Sequence, residues 1–288
     1  MIKAPNTRVG ALGATLALSL VLTAATTAQA AVLFTEDFQG HADGSIVTSA
    51  NGWTGTVVNV NDSGNFGGSR VLDGIDYAGT VDGFAYIERS FGGLASGAIH
   101  EMTIDAFAQS TSLQSHNNGM GLGSSASGSG DRAGAYWSPL YDVNNVAGQT
   151  GWVFAANGIA GGTGNTEIVI GGFDAVRSLK IVVDGIAGEV YGVYDFGSGS
   201  TETAHFAVGA AEIAAIDEVF GFFDFRSANL GSPWASTSKG TRFGAAQWDN
   251  IQVTGAFAAG EVPEPATLTL FGLGLLGLGA ARRRNTKA

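Results

Sequence analysis

The 288-residue chain contains 45 glycines, 5 prolines and no cysteine, and its 25 acidic residues outnumber the 14 basic ones. Without cysteine there is no disulfide framework, thiolate nucleophile or cysteine-ligated zinc site, and the glycines lack the period of collagen. Residues 31–262 hold 24 acidic residues against 8 basic ones, a formal charge of −16, which disfavours nucleic acid and anionic lipid and suits cations or neutral polymers.

The N-terminal segment has the parts of a signal peptide. Two basic residues precede an apolar run from Val9 to about Ala25, and small residues follow at the positions that a signal peptidase reads, Ala28 and Ala30. This order predicts cleavage between Ala30 and Ala31, so that residues 1–30 form a signal peptide. The alternative is an uncleaved membrane anchor, for which the apolar run is short.

Residues 31 to about 258 show short runs of alternating apolar and polar residues, bounded by Gly, Asn, Asp or Ser. This pattern predicts β-strands, and no regular helices of roughly 10 to 15 residues separate them. We therefore expect one all-β domain over residues 31–258, an antiparallel two-sheet β-sandwich of the jelly-roll type. The clearest predicted strands are Val32–Phe38, Gly83–Phe91, Ala98–Gln109, Gly151–Ala156, Glu167–Ile170, Ser178–Asp184, Glu189–Phe196, Val219–Arg226 and Trp248–Val253.

Three segments of this body are predicted to be something other than strand. Asp184-Gly185 and the small residues after it predict the turn of a hairpin. Ala210–Ile216 has a composition that favours a short helix. Ser115–Asp131 is rich in Gly, Ser and Asn, which predicts an exposed loop.

Four stretches resemble the opening, middle and closing strands of laminin-G-like or concanavalin-like jelly rolls. They are Phe34–Phe38, Asn51–Trp53, Leu179–Asp184 and Trp248–Val253. The resemblance implies that the first and last strands lie side by side. It also implies that the domain belongs to a class that often binds glycans and a structural calcium ion.

Pairing of the end strands would bring Glu36 or Asp37 close to Asp249. A buried cluster of carboxylates needs a cation to neutralise it, and Ca²⁺ prefers such oxygen ligands. We therefore expect one structural Ca²⁺ at Glu36, Asp37 and Asp249. The alternative is that these acidic side chains simply cap the ends of their strands in contact with water.

Three tryptophans lie in Gly-, Ser- or Pro-containing contexts that predict loops, namely Trp53, Trp137 and Trp234. Sugar rings stack on exposed aromatic faces, so these three are the candidate glycan-binding residues. The alternative for each is ordinary packing in the core or beneath a loop.

A polysaccharide hydrolase or lyase on the same fold is the second functional hypothesis. A hydrolase requires two carboxylates on either side of the scissile bond, and no clear pair is evident in the sequence. A lyase requires histidine beside tyrosine, for example beside Tyr136 or Tyr141. The histidines are dispersed, at His41, His100, His116 and His205, so we name no catalytic residue.

The C-terminal segment combines proline, an apolar run and arginine. Ala266–Ala281 contains no charge, and three arginines follow it, which predicts a membrane-spanning helix with a basic cytoplasmic tail at residues 282–288. The motif residues are Val262, Pro263, Glu264, Pro265, Arg282, Arg283 and Arg284. Residues 259–265 form the predicted linker.

This arrangement resembles the PEP-CTERM sorting signal of Gram-negative, exopolysaccharide-producing bacteria. The resemblance implies recognition by the membrane transpeptidase exosortase, with cleavage near the Pro-Glu-Pro after transient anchoring in the inner membrane. An ordinary tail anchor is the alternative. We expect an exported protein of the cell surface or extracellular matrix that binds polysaccharide without catalysis, and a matrix filler without any ligand is a third hypothesis.

Overall fold

The computed structural model describes residues 30–43, 45–46, 52–55, 59–73, 84–110, 117–124, 134–141, 143, 146, 149–157, 165–224, 242–243 and 246–258. By its contacts the chain divides into Met1–Ala31 and Val32–Ala288, and the sandwich lies in the second unit. Residues 1–29 of the predicted signal peptide, and all of the predicted linker, sorting helix and basic tail, lie outside the described residues.

Strands dominate the described residues. In chain order they are β1 (Ala31–Glu36), β2 (Ser45–Ile46), β3 (Thr54–Gly55), β4 (Asn59–Ser63), β5 (Ser69–Asp73), β6 (Phe84–Ser90), β7 (Ile99–Ala108), β8 (Asn117–Gly123), β9 (Gly134–Tyr141), β10 (Gly151–Asn157), β11 (Thr166–Ile170), β12 (Arg177–Asp184), β13 (Glu189–Tyr194), β14 (Thr201–Glu202), β15 (Phe206–Ala207), β16 (Glu218–Asp224), β17 (Arg242–Phe243) and β18 (Ala246–Gly255). A 3₁₀ turn covers Gly64–Phe66, and one short helix, α1, covers Ala210–Ala214.

The strands form two sheets. The ten-stranded sheet has the order β14-β13-β12-β7-β18-β5-β4-β2, with β1 beside β18 and β15 beside β13. The eight-stranded sheet has the order β11-β10-β9-β8-β16-β6-β3, with β17 beside β9. Between β7 and its neighbours β12 and β18 the pairing is antiparallel, as it is along the eight-stranded sheet. The predicted two-sheet antiparallel sandwich is confirmed.

The core lies between the two sheets, where alternate side chains of each strand meet. Trp152 of β10 and Trp248 of β18 belong to different sheets, and their rings meet edge to face with centroids 5.8 Å apart. Both are fully buried. Large aromatic side chains of this kind contribute several kcal/mol each when they are buried, so packing supplies stabilisation in a chain that has no disulfide.

The pairing of the end strands is also confirmed, because β1 lies beside β18. Most predicted strands agree with the structure to within a few residues. The hairpin at Asp184 is present, with Asp184 paired to Glu189 and its Oδ1 accepting hydrogen bonds from the backbone N–H groups of Ile186 and Ala187. The predicted helix is present as α1, and it ends two residues earlier than predicted.

One prediction is wrong at the centre of the eight-stranded sheet. Residues 117–123, predicted to be part of an exposed loop, form β8, and those from 118 to 123 are buried. A Cβ on Gly121 would lie 2.0 Å from the carbonyl oxygen of Ala135, and one on Gly119 would lie 2.4 Å from the ring of Phe222. Glycine is required here because backbone and rings approach closely, and not because the chain turns.

Candidate functional site

Two of the three tryptophans predicted to bind sugar lie in the core. Trp53 and Trp137 are 0% exposed, and their indole N–H groups donate to the Glu36 carboxylate and to the carbonyl oxygen of Lys180. The predicted exposed positions are wrong for both. Trp137 takes the inward side of β9, and Trp53 comes directly before β3. Trp234 lies outside the described residues.

Glu36 is a buried carboxylate with both oxygens already bound. Its Oε2 accepts hydrogen bonds from Trp53 Nε1 at 2.8 Å and Arg89 Nη1 at 3.1 Å. Its Oε1 accepts one from the backbone N–H of Phe38 at 2.9 Å and lies 3.8 Å from His41 Nε2. Arg89 supplies the opposite charge, so this carboxylate needs no metal ion.

Asp37 follows Glu36 but is exposed, since consecutive side chains of an extended strand point to opposite sides. Its Oδ1 accepts a hydrogen bond from the backbone N–H of Gln39 at 3.1 Å. The two predicted ligands on this segment are therefore separated by the strand itself.

Asp249 lies on β18 beside the bulge that interrupts its pairing with β7. It is 2% exposed, and its Oδ1 accepts one hydrogen bond, from the backbone N–H of Asn250 at 2.8 Å. Burial raises the pKa of Asp249 to about 6, against the lowering effect of that hydrogen bond, and the nearby carboxylates of Asp37, Asp105 and Glu36 raise it further. This carboxylate is buried among like charges.

A cleft of about 260 Å³ opens between β1 and β18 near this cluster. In the described parts of the chain, however, no group of three or more His, Asp or Glu side chains is arranged to hold a metal ion. The residues that line the cleft are Thr35, Glu36, Asp37, Asn250, Ile251 and Gln252.

A second polar cluster lies on the ten-stranded sheet. The rings of Tyr191 and His205 are stacked in parallel, with centroids 4.0 Å apart and planes within 1°. His205 Nδ1 lies 2.8 Å from a carboxylate oxygen of Glu189, and its Nε2 lies 3.2 Å from one of Glu202. The hydrogen bond with Glu189 and the interaction with Glu202 raise the pKa of His205. We call these four residues the Tyr–His platform.

The Tyr–His platform is partly open to water and strongly acidic. The side chains of His205, Glu189 and Glu202 are 37%, 41% and 58% exposed. Burial and the surrounding carboxylates, Glu202 foremost, raise the pKa of Tyr191. The other two carboxylates near Tyr191 are Asp184 and Glu101, and Lys180 Nζ binds Glu101 at 2.9 Å.

The described residues offer little to a lyase mechanism, and His116 lies outside them. His205 does lie beside a tyrosine, but stacking brings ring against ring, and the raised pKa of Tyr191 disfavours the phenolate that a base requires. Burial also raises the pKa of Tyr136 and Tyr141 well above the usual range. Burial lowers the pKa of His100, whose Nε2 lies 2.8 Å from the carbonyl oxygen of Ala95.

The Tyr–His platform was not among the predicted sites. Glu189 and Tyr191 are two residues apart on a predicted strand, which places them on one face and is a usable signal. His205 reaches that face from the segment after β14, and no spacing rule predicts where such a segment passes.

Comparison with protein families gives one match, in the C-terminal segment. Residues 261–284 match the PEP-CTERM protein-sorting motif. The chain carries a PEP-CTERM sorting motif. The resemblance found in the sequence is thus confirmed, and the PEP-CTERM motif indicates a protein exported by a Gram-negative bacterium and processed by exosortase. No protein of curated function matches the chain in sequence.

Several solved structures align with most of this chain at low sequence identity. A carbohydrate esterase, vb_24B_21, of the Shiga toxin-encoding bacteriophage phi24B is 15% identical over 78% of this chain and 99% of its own, with a TM-score of 0.47. An endo-1,3-β-glucanase of Streptomyces sioyaensis is 12% identical over 80% and 98%, with a TM-score of 0.45. A lectin of Bauhinia forficata is 11% identical over 80% and 99%, with a TM-score of 0.43.

Among the residues that the structure describes, no helix has the length and apolar character needed to cross a bilayer. The matched PEP-CTERM segment itself lies outside those residues. The membrane helix at Ala266–Ala281 therefore stays a prediction.

Proposed function

We propose that the processed protein is a non-catalytic component of the cell surface or extracellular matrix that binds extracellular polysaccharide. Its export is supported by the PEP-CTERM motif at residues 261–284. The binding role rests on one observation, the partly exposed Tyr191–His205 ring pair with carboxylates around it.

This combination suits a sugar for two physical reasons. The C–H face of a pyranose ring is apolar and packs on an aromatic ring. The hydroxyls project from the rim of the sugar ring and need hydrogen-bond partners there. The ring faces of Tyr191 and His205 that are not stacked on each other offer the ring surface, and Glu189 and Glu202 offer acceptor oxygens. Contacts of this kind are weak singly and gain strength when many copies engage one polymer.

The route to the surface forms part of the proposal. Signal peptidase would cleave after Ala30, the C-terminal helix would hold the protein in the inner membrane for a time, and exosortase would then process it near Pro263–Pro265. The charge distribution supports this order, because arginines 282–284 follow the apolar run and would stay on the cytoplasmic side.

A structural calcium ion remains a proposal with an altered set of ligands. Glu36 is satisfied by Arg89, so the carboxylates that would benefit from a cation are Asp249, Asp37 and Asp105. Asp37 and Asp105 would have to turn toward Asp249 to form the site, since the described side chains do not already make one.

Binding to immobilised polysaccharides tests the proposed function. The protein, exported and processed in a Gram-negative host with exosortase, is applied to bacterial and algal polysaccharides in calcium and again in EDTA. We expect retention on at least one polymer and loss of retention in the variant Tyr191→Ala/His205→Ala. A matched control is Ile186→Ala, which removes exposed apolar surface from the neighbouring turn.

The same samples test the enzymatic alternative. Release of reducing ends or of unsaturated products would show a hydrolase or a lyase and would overturn the non-catalytic role. Absence of binding from a folded protein would leave the structural role without a ligand. Equal retention of Tyr191→Ala/His205→Ala and of Ile186→Ala would show that the polymer binds elsewhere than at the Tyr–His platform.

A further inference from the structure

The charge around the Tyr–His platform limits the polymers that it could take. Lys180 is occupied by Glu101 at 2.9 Å, and Asp184 caps the hairpin turn through its Oδ1. Within the described part of the chain, Glu189 and Glu202 share one compensating group, His205. The whole body is acidic as well, with 24 acidic residues against 8 basic ones over residues 31–262, so an anionic polymer is repelled.

His205 occupies a place that favours a cation. One ring nitrogen faces Glu189 and the other faces Glu202, and both nitrogens donate only when the imidazole is protonated. The raised pKa of His205 is the electrostatic consequence. The two carboxylates therefore stabilise the positive charge of His205, whose side chain is 37% open to water.

The Tyr191–His205 ring pair would set the orientation of a ligand that binds beside it. Among the described residues neither Tyr191 nor His205 contacts a third ring, so the pair is a small isolated aromatic surface. A pyranose stacked against it holds its ring substituents at the rim, within reach of Glu189 or Glu202. An ammonium group on the sugar would pair with these carboxylates, whereas an acetamido group would gain only the stacking.

We propose that the Tyr–His platform binds polysaccharide that carries free amino groups, that is, a polymer of hexosamine with little N-acetylation. The proposal rests on the proposed function and adds the chemical class of the ligand. Specificity comes from ion pairing of the sugar ammonium with Glu189 and Glu202, while Tyr191 and His205 supply the stacking that any pyranose shares.

Titration with two oligosaccharides of equal length tests this. The probes are glucosamine oligomers and N-acetylglucosamine oligomers, added at pH 6 to the processed protein in a calorimeter. We expect the amino form to bind at least about tenfold more tightly, a difference of about 1.4 kcal/mol. Glu189→Gln and Glu202→Gln should each remove most of that preference and leave binding of the N-acetylated form unchanged.

A charge control separates this site from general attraction of a polycation. Asp62→Asn removes the same charge from β4, near the opposite edge of the same sheet, at an exposed side chain that pairs with Arg70. It should retain the preference for the amino form. If Asp62→Asn weakens binding as much as Glu189→Gln does, the ion-pairing site is refuted.

The remaining outcomes separate the two proposals. Equal affinity for both oligomers would overturn the amino-sugar inference and keep the proposed function. Binding of neither oligomer, by a protein that the polysaccharide experiment shows to bind another polymer, would also overturn only the inference. Binding of no oligomer and no polymer would remove both. Circular dichroism of each variant confirms that it is folded.

Discussion

Glu36 and Asp249 lie on neighbouring strands and are both nearly buried, at 8% and 2% exposed, yet their surroundings are opposite. Glu36 accepts three hydrogen bonds, one of them from the Arg89 guanidinium. Asp249 accepts one and faces other carboxylates. Burial alone therefore does not decide the cost of a charge, because the partners of the charged group decide it.

The comparison of Glu36 with Asp249 also shows which of the two buried carboxylates lacks a compensating positive charge among the described residues. The Glu36 network ties β1 to Trp53 and Arg89, so it stabilises the sandwich. Burial among the like charges of Asp37, Asp105 and Glu36 disfavours the ionised form of Asp249. Each of the following experiments breaks or sharpens this difference.

The largest effect is expected for Glu36→Gln, which keeps the shape and removes the charge. Arg89 loses its ion partner, and the amide NH₂ of glutamine faces donors where an oxygen accepted before. We expect a loss of about 2 to 3 kcal/mol in the free energy of unfolding, below the usual cost of a broken buried pair because Arg89 is partly exposed. Urea denaturation measures it.

The matched control for that experiment is Asp37→Asn, one residue along the strand. Asn keeps an oxygen for the backbone N–H of Gln39, so the change should stay within about 0.5 kcal/mol. If Glu36→Gln and Asp37→Asn have equal effects, the Glu36 network does not stabilise the fold.

Asp249→Asn should increase stability at pH 7. The folded pKa of about 6 lies above the unfolded value of about 3.9, so charging this group costs free energy in the folded state. The pKa difference between the folded and unfolded states corresponds to about 3 kcal/mol of unfolding free energy. Water near the Asp249 carboxylate screens this cost, so we expect a gain of roughly 1 to 2 kcal/mol in the variant. The advantage should shrink as the pH falls from about 6 to about 4, because the folded wild-type group becomes protonated. The midpoints of urea denaturation across that pH range measure the stability difference between Asp249→Asn and the wild-type protein. A difference that grew as the pH fell would contradict the raised pKa of Asp249.

Calcium provides the next test of Asp249 and the carboxylates near it, Asp37 and Asp105. If the ion binds there, calcium at ten times its dissociation constant should stabilise the wild-type protein by about 1.4 kcal/mol. Asp249→Asn should show little response, because a central carboxylate has been removed. Thermal unfolding in calcium and in EDTA measures both proteins. An equal response in the two proteins would place any calcium elsewhere.

The smallest effect is expected at the exposed Tyr–His platform. The folded pKa of His205 is raised, so its ion pairs stabilise fully below the unfolded pKa of about 6.5 and are lost as the pH rises through the folded pKa. His205→Gln should cost about 0.5 kcal/mol at pH 5.5, since water screens exposed pairs, and less at pH 8. Denaturation at the two pH values checks this, with Glu189→Gln expected to flatten the dependence.

Sequence pattern predicted the strands with apolar-polar alternation, and it failed at β8. Asn117–Gly123 contains three glycines, and at two of them, Gly119 and Gly121, the missing side chain makes room for Phe222 and for the backbone of β9. Propensity scales assign such a segment to a loop because they contain no information about the neighbour that fills the space.

The candidate sites were harder to predict than the strands. Pairing of β1 with β18 brought Asp37 and Asp249 into one neighbourhood, as expected, but strand alternation directed Glu36 inward to Arg89. Trp53 and Trp137 have loop-like neighbours in sequence and core positions in the structure. The partner of a polar group lies 17 to 53 residues away in these cases, and no local rule supplies it.

By itself the sequence determined the PEP-CTERM sorting motif and the class of fold. A sorting motif is recognised as a short linear segment, and alternation of apolar residues is a property of the strand itself, so both are local. Only the tertiary structure decided which carboxylate is neutralised, which tryptophans are buried, and that His205 stacks on Tyr191. These depend on which side chains meet across strands and loops, and such contacts arise from packing of the whole sandwich.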